Sequence, residues 1–184
     1  MLNSNPNMAF CHTATEFFDD SGRVIGSTGA FQRSYARPGR EIVPAFLRGK
    51  RVVNSSALFR RSFFERVGGW TDDYRNCMDA DLWLKMLMVG DVGYVGRILT
   101  GYRHHAVTQA WTAMQLEEDH RFLEAARLLA AANGIPVSRA IAAPGPGTRG
   151  AGTGVRQWAA RSLVRLPAPA RFLIGDLAER FRNR

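Results

Sequence analysis

The chain has 184 residues, 46% of them hydrophobic and 22% charged, with a formal net charge of +9. That length and balance suit one globular core of ordinary size, and no apolar run approaches the roughly twenty residues needed to cross a bilayer, which argues against an integral membrane protein. Cys11 and Cys77 have no metal-ligand spacing and no secretory signal ahead of them, so reduced thiols in a cytoplasmic protein are expected.

In chain order, Met8 to Phe18 and Arg23 to Ile25 are predicted strands joined by the turn signal Asp19-Asp20-Ser21-Gly22. Residues 27–39 (STGAFQRSYARPG) are expected to form a polar, Gly-bounded loop, and Glu41 to Arg48 a short helix interrupted or initiated by Pro44. Val52 to Phe59 (VVNSSALF) follows as a strand, then the basic step Arg60-Arg61 and a short helix, SFFERV, stopped by Gly68-Gly69 ahead of Trp70. After an irregular acidic loop, Leu82, Trp83, Met86 and Leu87 recur as on one helical face, and that helix ends at Gly90. Two Gly-punctuated strands, VGYV and ILTGYR, lead into Arg103-His104-His105. From Gln109 to Ala132 the pattern is an amphipathic helix that includes Trp111, Phe122, Leu123, Ala126 and Leu129, with Asn133-Gly134 as its stop.

Asp79 and Asp81 head the central apolar helix, and the spacing supports two roles for Asp79. An Asp at a helix start caps free amides while a second acid complements the macrodipole, with no chemistry implied. Equally, a carboxylate at a loop-to-helix junction takes a proton from a substrate hydroxyl that comes within hydrogen-bonding reach.

Four motifs in order over about fifty residues carry a more specific signal. Leu58-Phe59-Arg60-Arg61, Gly68-Gly69-Trp70, Met78-Asp79-Ala80-Asp81-Leu82-Trp83 and Arg103-His104-His105 together resemble the C-terminal half of a family 2 glycosyltransferase of the A-type fold. The resemblance implies an α/β, Rossmann-like architecture, here its acceptor-side part. It also implies transfer of a sugar from a nucleotide-sugar donor to an acceptor hydroxyl, in the synthesis of cell-surface polysaccharide or glycolipid. Asp79 matches the general base of inverting members, and His105 the third residue of an Arg-x-His that in some relatives helps hold divalent metal, Mn²⁺ or Mg²⁺. For imidazole, Mn²⁺ is the more natural partner, while an unliganded surface histidine is the plain alternative. Arg103 opens the same motif as an expected substrate contact. Asp81 is expected to bind substrate or, more simply, to orient the loop. Trp70 is placed to wall an acceptor pocket or to pack in the core.

Two departures accompany the resemblance. Met78 stands where the family usually has Glu, which puts acceptor choice in doubt more than reaction type. The sequence also shows no nucleotide-binding half ending in Asp-x-Asp; Asp19-Asp20 lies in a turn signal instead. The expectation is a truncated enzyme, inactive without that half, with a non-catalytic acceptor-binding or membrane-associating fragment as the alternative.

The charge is unevenly spread. Residues 1–134 carry 16 Lys and Arg against 14 Asp and Glu, whereas residues 135–184 carry nine Arg against Asp176 and Glu179. The expected organisation is a catalytic-type portion over 1–106, an amphipathic helix over 107–134, an Ala/Gly/Pro linker over 135–154 and a basic helical tail over 155–184. In the tail, Val155, Trp158 and Leu166 share a face, and Leu173, Ile174, Leu177 and Phe181 follow Pro167 and Pro169, with Arg residues flanking. Such helices suit an anionic membrane interface, which would place the protein peripherally at the inner membrane face, or docking on the body or on a partner. Nucleic acid is the less favoured partner, because no binding module accompanies the charge.

Overall fold

The computed structural model describes residues 1–28, 33–48, 52–104 and 113–137, with side chains of the last segment described from residue 117. At its centre is β1 (Met8–Phe18), an eleven-residue strand free of Gly and Pro. β5 (Asp91–Arg103) runs parallel to it along one edge, from Met8↔Asp91 to Phe18↔Arg103. The other edge of β1 is shared by two antiparallel partners: β4 (Ala57–Phe59) beside Phe10 to His12, and β2 (Val24–Thr28) beside Thr15 to Phe18. β3 (Tyr35–Pro38) closes the far side antiparallel to β5. The result is a mixed five-stranded sheet with helices packed on it, an α/β fold.

The β1–β2 hairpin closes as its turn residues dictate. Asp19 Oδ1 accepts from the Ser21 amide and hydroxyl and from the Arg23 amide, at 3.0, 2.6 and 3.0 Å, and Gly22 takes the left-handed φ of 82°. These bonds, with that from the Ser21 hydroxyl foremost, hold the Asp19 carboxyl below its usual range.

Three sequence expectations are corrected. VGYV and ILTGYR are one continuous strand, because pairing with β1 absorbs the glycines. A Cβ at Gly93 would come within 3.0 Å of Met8 Sδ and 3.1 Å of Cys11 Cβ, and Gly96 lies in a bulge where Val95 and Ile98 oppose the successive residues Thr13 and Ala14. The 27–39 stretch is not all loop: β2 runs to Thr28, and Tyr35–Pro38 is an edge strand with three exposed residues, so no alternation marked it. The eight-residue strand expected from Val52 shortens to Ala57–Phe59. Ser56 turns back on Val53, donating from its amide (2.9 Å) and its hydroxyl (2.7 Å) to the Val53 carbonyl, and a 3-10 turn replaces the ladder.

The helices are α1 (Gly39–Leu47), α2 (Arg61–Arg66), α3 (Met78–Val89) and α4 (Ala113–Ala132). α2 and α4 end in the same way. Gly69 N–H bonds the Phe64 carbonyl and Gly68 the Glu65 carbonyl; Ile135 bonds Ala130 and Gly134 bonds Ala131. Gly68 and Gly134 supply the left-handed residue that this arrangement requires. α3 is the central helix, with every residue from Ala80 to Met88 buried. Trp83 packs on Phe10 (centroids 4.9 Å) and Phe59 (5.9 Å), and Phe122, Ala126 and Leu129 of α4 join the same core. Arg60 ties the chain start to β1, donating from Nε to the Met8 carbonyl at 3.1 Å and from Nη2 to the Asn5 carbonyl at 3.1 Å. Among the described residues no helix is long and apolar enough to cross a membrane.

Candidate active site

α3 begins at the surface with exposed Met78 and is buried from Ala80 onward. Its N-cap is Cys77, which makes no side-chain cap, so Asp79 is the second helical residue and not the cap itself. Asp79 is half-buried, between exposed Met78 and buried Ala80, and its Oδ1 accepts the Ala80 amide at 2.7 Å. That bond orients the carboxylate at a helix N-terminus, where negative charge is favoured.

The other expected site residues divide by location. Asp81 is 0% exposed and forms an ion pair with Lys85, 2% exposed, one turn along α3. This arrangement places Asp81 in the core. Tyr74, in the acidic loop, has its phenol pushed well up, first by burial and then by the Asp81 carboxylate. Trp70 is 42% exposed and lies edge-on to Phe64 (5.9 Å), which stacks on Phe59 (5.4 Å), the residue that meets Trp83. The exposed indole is therefore the outer end of an aromatic row that reaches the core one turn below Asp79.

Arg103 ends β5 with its guanidinium 5.6 Å from the Phe18 ring centroid, and the His104 amide donates to the Phe18 carbonyl at 2.8 Å. His105 lies outside the described residues. Among those that are described, no three His, Cys, Asp or Glu side chains assemble a metal site.

Three residues of consequence escaped the sequence reading. Lys85 stands four residues after Asp81, a spacing that signals an ion pair but not its burial. His12, against Phe10 and Tyr94 (centroids 6.3 and 5.0 Å), is pulled down to about 4 by burial, and its place in a strand gave no hint of this. Glu118 of α4 accepts the backbone amides of Asn76 (2.5 Å) and Cys77 (2.9 Å), a contact across forty residues that no local pattern encodes. In comparisons with known proteins, no family model matches the chain and no curated protein matches it.

Proposed function

We propose that the chain is the acceptor-side part of a family 2-like glycosyltransferase, with Asp79 as the base that deprotonates the acceptor hydroxyl. The observation that carries this is the contrast within α3: a helix buried from Ala80 to Met88 presents a half-buried, backbone-oriented carboxylate at its surface end. Trp70 supports the reading as an exposed aromatic whose orientation is set by core packing, suited to one face of a sugar ring.

In this reaction the Asp79 carboxylate accepts the hydroxyl proton as the acceptor oxygen attacks the anomeric carbon of a nucleotide-sugar. The bond from that carbon to the diphosphate breaks, and the nucleoside diphosphate departs with the electron pair. The donor would be held by a partner half of the enzyme, and any divalent ion on the diphosphate would draw its ligands from beyond the described residues, His105 among them. The acceptor would be a glycan or lipid-linked sugar, reached at an anionic membrane surface through residues 155–184.

The test is Asp79→Asn in an enzyme that includes a donor-binding half. Asn keeps size and backbone bonding but not proton affinity, so turnover should fall at least roughly 10²-fold while the fold survives, with stability lowered by no more than the about 1 kcal/mol of one charge at a helix start. Near-normal turnover would return Asp79 to a purely helix-stabilising role.

A further inference from the structure

We propose that Glu118 of α4 is a positioning residue for Asp79, capping the start of α3 from a separate helix. The inference rests on the reading of Asp79 as the acceptor-side base. A helix start is usually satisfied by a Ser, Thr, Asp or Asn at the N-cap. Cys77 occupies that place here with no side-chain cap, and its thiol instead lies 3.0 Å from Asp119 Oδ1.

α4 supplies an acceptor for the amides just ahead of the first helical residue. Glu118 Oε1 takes the Asn76 and Cys77 amides, and Oε2 takes Asn76 Nδ2 at 3.3 Å. The next turn of α4 extends the grip: the Arg121 guanidinium lies 6.0 Å from the Tyr74 ring centroid, and Phe122 meets that ring edge-on at 5.6 Å. Four side chains of α4 thus hold residues 74–77, the segment that delivers the chain into the helical turn of Asp79. Because the carboxylate is both acceptor and anion, it does two things at that turn. It fixes the backbone two residues before Asp79, and it puts a second carboxylate by the same helix start, a like charge whose removal is expected to lower the titration midpoint of the base.

Two readouts test this without sugar transfer, in the full chain carrying Cys11→Ser so that Cys77 is the sole thiol. Cys77 is 1% exposed, so its reaction with an aromatic disulfide reports local opening. Glu118→Ala should raise that rate by about fivefold, the effect of losing one cap, and Glu118→Gln by less, because its amide oxygen still accepts. Carboxyl-carbon NMR should show the Asp79 titration midpoint moving down in Glu118→Gln, with the unfolding midpoint close to the parent's. An unchanged thiol rate overturns the clamp. A faster thiol with an unmoved Asp79 midpoint reduces Glu118 to a structural contact and overturns the positioning role. If Glu118→Ala does not fold, Glu118→Gln alone decides through the midpoint. Normal turnover of Asp79→Asn would sink the base while leaving both readouts intact, so the two failures are told apart.

Discussion

Lys85→Met is the perturbation that most directly probes the core of α3. Lys85 and Asp81 are 2% and 0% exposed, lie one turn apart and are surrounded by buried residues on the same helix. Methionine keeps the length and apolar stem of lysine but takes the Lys85 ammonium away from the buried Asp81 carboxylate. Breaking a buried pair in this way costs about 3–5 kcal/mol, a large share of the roughly 5–15 kcal/mol that holds a domain folded. Replacing both partners, as Asp81→Val with Lys85→Met, removes both desolvation penalties. The double variant should lie within about 2 kcal/mol of the parent, the remainder reflecting the altered surroundings of Tyr74. Urea unfolding followed by tryptophan fluorescence, with Trp83 in the same helix as reporter, measures all four corners of the cycle. A cost below about 1 kcal/mol for Lys85→Met, or a double variant no more stable than the singles, would refute the buried-pair account. The cycle also separates structure from chemistry at Asp81. If the carboxylate serves only the core, the double variant of an active enzyme keeps its turnover although Asp81 is gone.

Gly39→Ala should destabilise by about 3 kcal/mol or more, because the added methyl would press on the backbone of α3, 2.7 Å from Leu87 Cα, where no side chain can yield; Gly26→Ala, with open space around it, should stay within about 0.5 kcal/mol in the same urea assay. His12, lowered from 6.5 to about 4 by burial, makes the unfolded state the better proton binder between those values. Stability should therefore be intact above pH 6.5 and decline as pH falls toward 4, by about 2–3 kcal/mol in all, and His12→Gln should flatten that part of the urea-midpoint profile. The full chain should sediment with anionic vesicles and a version ending at Gly134 should not, with salt weakening the binding without abolishing it; equal binding by the two would remove the membrane from the reading.

What the sequence by itself determined is what local rules encode. β1, the Asp19–Gly22 turn, the Gly90 end of α3 and the Gly134 end of α4 follow from residue preferences and short-range periodicity that need no partner. The presence of Asp79 at a helix start was legible on the same grounds. Tertiary structure decided the rest. Gly93 and Gly96 read as breaks until β1 pairs alongside and turns them into a close approach and a bulge. β3 is an edge strand held by β5, so its own residues show no buried alternation. Asp81 read as a loop-facing acid, but the sheet and helices that enclose α3 put it in the core with Lys85. The cap on α3 comes from Glu118, on a helix that reaches it only because α4 folds back onto the same core. Periodicity states which face of an element is apolar; which neighbour covers it, and so which charges are buried and which amides are satisfied, is settled only when the elements pack.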